Sequence, residues 1–229
     1  MGAKIYQNKK YIAFFLIPAF VFMLIFLYYP FIQNIINSFQ HIKYMGTAAD
    51  KWNAPFYKNY LEIFKDPKML IALKNTGIMI IATIVGEVGL AIVLSLLVSN
   101  IKKGAGFFRV VYFFPIVISA TALGLLFNLV FLYDKGMINQ LLQLIGVLDA
   151  GKNELIDWKA TYPMFTMLVP VIWQYVGFYF IILLTGLSGI PEDLYEAAEI
   201  DGAGRFRKMW HVTLPGIKST IIVLLIMNL

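Results

Sequence analysis

Charged residues are missing from long stretches of this chain, and the gaps define its elements. Residues 11–42, 110–133 and 160–191 carry no Asp, Glu, Lys or Arg; residues 75–101 carry only Glu87, and 219–229 carry none. A helix that crosses lipid needs about 20 mostly apolar residues at about 1.5 Å of rise each. The pattern predicts four full membrane helices, near 11–31, 75–99, 110–133 and 162–187, and a fifth that opens near Ile217. That fifth segment, IKSTIIVLLIMNL at 217–229, is too short to cross. It is expected to be the start of a longer span, since a half-span leaves terminal carbonyls unsatisfied in hydrocarbon. The expected fold is all-α: a polytopic integral membrane helical bundle, one transmembrane domain over 1–229, truncated in its fifth span.

Composition agrees. The 229 residues are 60% hydrophobic and 14% charged, against about 45–50% and about 25% in soluble domains. So apolar a chain is not a disordered segment, a nucleic-acid-binding domain or a secreted disulfide scaffold. It has no cysteine, which excludes disulfides, Cys-ligated zinc and a cysteine nucleophile. Two histidines, His41 and His211, offer little to a metal site. The net charge of +6 suits segments beside anionic lipid.

Lys4, Lys9 and Lys10 precede the first apolar run as they would in a secretory signal. The run is longer than an h-region of about 7–15 residues and no small-x-small site follows it, so an uncleaved span is expected. Pro18 and Pro30 are tolerated there better than in water. With the N-terminus inside, segments 1–10, 102–109 and 192–218 hold ten Lys and Arg, and the longer outer segments 43–74 and 134–159 hold nine. Lys102, Lys103 and Arg109 contribute to this slight positive-inside bias.

Residues 146–152, GVLDAGK, match the first seven positions of a phosphate-binding loop. The eighth position, where a hydroxyl would ligate magnesium, is Asn153, and the run sits between two spans rather than between a strand and a helix. Any ATP site is therefore expected on another chain. More informative is the polar stretch 188–215, SGIPEDLYEAAEIDGAGRFRKMWHVTLP. Pro191 suits a first helical position, and Glu192 and Asp193 suit the first turn, where the helix dipole favours anions. Leu194, Ala197, Ala198 and Asp201 share one helical face, whose alanines leave room for a close partner. Gly202 then breaks the helix. A second run, 203–211, carries Arg205, Arg207 and Lys208, and Leu214-Pro215 opens the fifth span. The pattern predicts helix, sharp turn, helix at the membrane surface. Three acids before Ala197 argue against a helix lying on anionic lipid.

The order Glu196-Ala197-Ala198, three residues, Gly202, nine residues, Val212-Thr213-Leu214-Pro215 resembles the EAA loop of binding-protein-dependent ABC importer permeases. The family pattern differs only in having Ile where Val212 stands. The IPEDLYEAAEIDGA context resembles the sugar-transporting branch, as do WQYVGF at 173–178, Lys135-Gly-Met-Ile-Asn139, Asn59-Tyr60 and Asn75-Thr76. The likeness is to MetI-like, type I importer subunits similar to maltose-system and glycerol-phosphate-system A-type permeases. It implies six spans, with the loop at 188–215 on the cytoplasmic face, docked in a cleft of a separate ATPase subunit whose ATP-driven closure moves the spans. The coupling residues it implies are Glu196, Ala197, Ala198, Asp201, Gly202, Leu214 and Pro215; Glu196 would hydrogen-bond basic groups or backbone N–H of the partner. Implied partners are a second permease subunit, two ATPase subunits carrying ATP and magnesium, an extracytoplasmic solute-binding protein, a carbohydrate and membrane lipid, with no nucleic acid. This chain would bind no cofactor and be no enzyme, and it would lie in a prokaryotic inner or plasma membrane as a multi-pass protein.

Glu87 is the one acid inside a span, a functional suspect by default. It reads either as a proton-coupling or substrate-binding carboxylate, as a secondary transporter would use, or as a hydrogen-bonded acid at a helix contact eased by Gly86 and Gly89. ATP-driven transport needs no proton relay, which favours the second reading. A secondary transporter would also show inverted repeats and broken helices, and a membrane enzyme would need a catalytic cluster; neither pattern is present. A sugar pathway needs amides and stacking aromatics. Thr121 and Asn128 in the third span, and Trp173, Gln174, Tyr175 and Tyr179 in the fourth, are the candidates. The ten Met residues read as packing filler.

Overall fold

The computed structural model describes residues 9–44, 46–101, 103–149 and 154–229. Lys4, Lys102 and the 150–153 end of the phosphate-loop-like run, Asn153 included, lie outside the described residues. The chain forms two compact units, 1–73 and 74–229.

The first unit begins with α1 (Lys10–Ser38), a helix that exposes apolar side chains along its length. It outlasts the apolar segment 11–31, because polar residues of its last turns also pair helically, Gln33 Nε2 donating to Asn37 Oδ1 at 3.1 Å. Pro30 has no N–H to give, and just ahead of it the helix widens into a π turn, Leu24–Tyr28, with Tyr29 N–H bonding Leu24 O. Two short antiparallel strands follow, β1 (Gln40–His41) and β2 (Lys51–Trp52), paired Gln40 to Trp52 and His41 to Lys51. Then comes α2 (Lys58–Lys65). Asn59 Nδ2 donates to the carbonyls of Ser38 and Gln40 at 2.9 and 3.0 Å, and so satisfies the frayed end of α1. Tyr60 OH meets Ser38 Oγ at 2.7 Å.

The second unit begins within α3 (Pro67–Ser99), which starts earlier than residue 75 because Asp66 caps it: its Oδ1 accepts from Lys68 N–H at 2.9 Å, with Pro67 at the first helical position. The expected third span, 110–133, is instead α4 (Ala105–Val117) and α5 (Ala120–Val130), bent by 97°. Pro115 sits in a 3₁₀ turn, Phe114–Val117, that ends α4. Ser119 starts a new helix, its Oγ accepting from Ala122 N–H at 3.2 Å. The carbonyl of Ile118, freed at the break, is taken by Gln174 Nε2 at 3.1 Å. After α6 (Met137–Leu144) comes α7 (Pro163–Ser188), close to the expected fourth span.

The core of this unit packs α3 against α7, with Val88, Ala91 and Val98 meeting Tyr179, Phe180, Leu183, Leu184 and Leu187. Gly177 lets α4 close on α7: a Cβ there would stand 1.7 Å from the Tyr112 carbonyl oxygen. The Tyr112 and Phe180 rings meet edge-on at 5.2 Å beside it.

The chain ends in α8 (Glu192–Ile200), α9 (Arg205–Gly216) and α10 (Lys218–Asn228). The expected second run at 203–211 and the Leu214-Pro215 start of the fifth span are one helix, α9. It absorbs Pro215 by the same device as α1, a π turn at Met209–Thr213 in which Leu214 N–H bonds Met209 O. The break falls later, at the fully buried Ile217, where α10 departs at 61°. Among the described residues α1, α3 and α7 are long and apolar enough to cross a membrane; five spans result if each bent pair, α4–α5 and α9–α10, is one.

Candidate functional site

The loop at 188–215 is built from inside. Pro191 precedes the helix as an extended N-cap (ψ 136°) rather than as its first turn, with Glu192 and Asp193 in the turn that follows. The far end closes by two backbone bonds: Ala203 N–H reaches back to Ala198 O at 2.9 Å, and Gly202 N–H to Glu199 O at 2.9 Å. This is a Schellman motif with Gly202 as the left-handed residue, φ +73°. The spacing from Ala198 to Gly202 is thus the spacing of a helix stop. No atom lies within 4 Å of a Cβ built on Gly202, so backbone handedness alone asks for glycine there.

Two contacts then fix α9 on α8. Lys208 Nζ pairs with Glu199 Oε1, and Tyr195 OH meets the buried Thr213 Oγ1 at 3.2 Å. The Lys208 hydrogen bond and charge hold Glu199 below its ordinary carboxylate pKa. A depressed acid adds order above the carboxylate range and loses it as pH falls through the lowered value, so the pair is intact at neutral pH. Between the two helices lies a groove of about 440 Å³. Leu194, Ala197, Ala198 and Asp201 line it from α8, and Arg207, His211 and Val212 from α9. The shared face read from the sequence is therefore one wall of a real concavity, small at its floor and cationic on its far side. Glu196 is exposed on α8, Leu214 is half-buried, and Pro215 is exposed. Sequence reasoning passed over Tyr195 and weighed His211 only as a metal ligand; their signal is the register that turns them toward α9 and the groove.

The six pathway candidates do not form one cluster. Thr121 and Asn128 are exposed on α5, and Asn128 Oδ1 accepts from Lys159 Nζ. Trp173 packs edge-on against Phe127, centroids 5.7 Å apart, and Tyr175 is exposed beside it in sequence. Gln174 is committed to the Ile118 carbonyl. Tyr179 is buried and turned to another partner set.

That set surrounds Glu87. The acid sits on a π turn of α3, Ile84–Gly89, and is 3% exposed. Asn228 Nδ2 of α10 donates to Glu87 Oε2 at 2.8 Å and to Tyr179 OH at 3.2 Å. Asn228 thus bridges Glu87 of α3 and Tyr179 of α7. Thr83 Oγ1 donates to Asn228 Oδ1 at 3.0 Å. Glu87 is thus a hydrogen-bonded acid at a helix contact. Gly86 provides closeness, since a Cβ there would lie 2.5 Å from Ile172 Cδ1; Gly89 faces only its own helix. Asn228, 141 residues away from Glu87, has no local signal in the sequence.

Asn139 is 1% exposed and holds the connection from α5 to α7 together. Its Nδ2 donates to the carbonyls of Tyr133 and Ile156 at 3.0 Å each, and its Oδ1 accepts from Trp158 Nε1 at 2.9 Å. The GVLDAGK run starts where α6 ends, and among the described residues the strands β1 and β2 are remote from it in sequence.

Long apolar helices, buried polar groups paired across helices, and a self-braced polar element between two of its helices define an α-helical membrane protein. Residues 91–229 match the family described as the binding-protein-dependent transport system inner membrane component, and the chain belongs to that family. It is 34% identical to the probable ABC transporter permease protein YurN of Bacillus subtilis (strain 168), over 97% of this chain and 75% of that one. It is 30% identical to the polygalacturonan/rhamnogalacturonan transport system permease protein YteP of the same organism, over 97% of this chain and 68% of that one. A crystal structure of a bacterial alginate ABC transporter, in complex with an alginate pentasaccharide-bound periplasmic protein, contains a chain of the same fold. Its TM-score is 0.80 at 23% identity, over 98% of this chain and 73% of that one.

Proposed function

We propose that this permease, with a second permease subunit, encloses the pathway for a sugar or related carbohydrate in an ATP-binding-cassette importer. An extracytoplasmic solute-binding protein delivers the cargo, and two separate ATPase subunits carry ATP and magnesium; this chain binds no cofactor and catalyses no reaction. The complex lies in a prokaryotic inner or plasma membrane, with the chain crossing several times. The observation that carries this reading is the groove between α8 and α9, floored by Ala197 and Ala198 and held open by the Gly202 stop and the Lys208–Glu199 pair. A helix of the ATPase, or a cleft gripping α8, finds there small side chains for close approach and Glu196 and Asp201 for charge-assisted bonds. Leu214 and Pro215 carry the displacement toward Ile217 and α10. The carbohydrate assignment is supported by relatives named for polysaccharide uptake, and by the exposed Asn128, Thr121, Trp173 and Tyr175 on α5 and α7, which match hydroxyls and sugar faces. Gln174 and Tyr179 would reach cargo only by giving up their present bonds.

The test is ATP hydrolysis by the purified intact complex, with its binding protein, across a panel of mono- and oligosaccharides. One class of saccharide should stimulate hydrolysis and be taken up. Stimulation by a non-carbohydrate solute, with no response to any saccharide, would overturn the assignment.

A further inference from the structure

We propose that Asn228 is the intramembrane catch of a lever: α10 carries movement of the α8–α9 element across the Ile217 pivot to the Thr83–Glu87–Tyr179 cluster, and releases it there. This rests on the importer reading above. The lever is visible in the packing. α8 and α9 are braced to each other by Lys208–Glu199 and Tyr195–Thr213. Ile217 and Leu224 are fully buried, so one face of α10 is seated on the bundle. Further along α10, Asn228 holds α3 through Thr83 and Glu87, and α7 through Tyr179.

The bonding is arranged so that Asn228 can leave without stranding Thr83. Thr83 Oγ1 also lies 3.0 Å from the Met79 carbonyl and 3.1 Å from that of Ile80, acceptors on its own helix. Glu87 and Tyr179 share one donor, Asn228 Nδ2. A permanent tie would leave unpaired groups in a low-dielectric interior when broken, at high cost. Here Thr83 needs no new partner when Asn228 moves, so the cost of opening falls on the Glu87 and Tyr179 contacts and is met by the force that α8 and α9 deliver. The π turn at Ile84–Gly89 sets Glu87 into this cluster, as such turns often do at working positions. Glu87 acts as a positioning residue through its hydrogen bonds rather than through its charge.

The experiment uses the intact complex in proteoliposomes, reading basal ATP hydrolysis, binding-protein-stimulated hydrolysis and uptake together. Asn228→Leu and Glu87→Leu should keep basal hydrolysis while uptake per ATP falls about threefold to tenfold, the range that one or two intramembrane hydrogen bonds correspond to. Glu87→Gln, which keeps an acceptor for Asn228, should restore most of the ratio. Unchanged ratios in both leucine variants, or a glutamine variant as poor as the leucine one, would overturn the proposal. Because the chain has no cysteine, a Thr83→Cys/Asn228→Cys pair can be bridged by a short cleavable thiol reagent. Bridging should stop uptake and cleavage should restore it; full uptake by the bridged complex would overturn the proposal, and this arm decides if the leucine variants do not assemble. A wild-type complex with no ATP-driven, binding-protein-dependent uptake would sink the importer reading instead.

Discussion

Gly202 shows how a single backbone angle can shape a surface element. Its φ of +73° closes the Schellman motif, and the space around it is open. A larger residue meets no wall, only the cost of a left-handed β-branched backbone, about 1–2 kcal/mol. Gly202→Val should therefore leave insertion and assembly intact while α8 loses its stop and transport uncouples from ATP hydrolysis. Gly202→Asn, which tolerates that conformation, should keep most of the coupling. The comparison is uptake per ATP at equal amounts of assembled complex; wild-type coupling in the valine variant would refute it. The sequence marked this glycine as a helix stop, and the left-handed angle is how it stops the helix.

Between elements the reason reverses, for Gly177 needs space rather than an unusual angle. A Cβ 1.7 Å from the Tyr112 carbonyl oxygen cannot be accommodated unless α4 moves off α7. Gly177→Ala should cost about 1–3 kcal/mol or more by overpacking, with a matching fall in the melting temperature of the solubilised complex. Gly124→Ala, with nothing near its Cβ, should be neutral. An equal effect at both sites would argue against the α4–α7 contact. Elements were legible in the sequence where lipid dictates them. The charge gaps located α1, α3 and α7, because hydrocarbon excludes charge whatever the tertiary context. They could not show the 97° break between α4 and α5, since hydropathy is blind to direction. Pro115 and the N-cap Ser119 are its local marks, but the group that makes it affordable, Gln174, lies 56 residues on from Ile118. Likewise Glu87 was visible as an anomaly, whereas its partners required the fold.

For the whole molecule, the reading that puts 188–215 beside an ATPase also fixes which surface each connection faces. Single cysteines placed at Glu154, in the connection from α6 to α7, and at Arg207 of α9 should differ in intact cells. A membrane-impermeant thiol reagent should label Glu154→Cys and spare Arg207→Cys until the membrane is opened. Labelling of Arg207→Cys from outside would reverse the orientation and remove the docking. The EAA spacing was the most informative signal at this scale, because its physics is local: a face, a stop and a return, written within thirty residues. That locality has a historical consequence. The Gly202 turn, the Glu199–Lys208 pair, the Tyr195–Thr213 contact and the seat of Gly216 on Ile190 all close within residues 190–216. A segment braced by its own residues, and seated on the core through Ile190 and Leu214, can vary at its exposed positions without disturbing the bundle. Duplicated permeases can thus diverge in cargo while sharing one motor, or change motor while keeping their cargo.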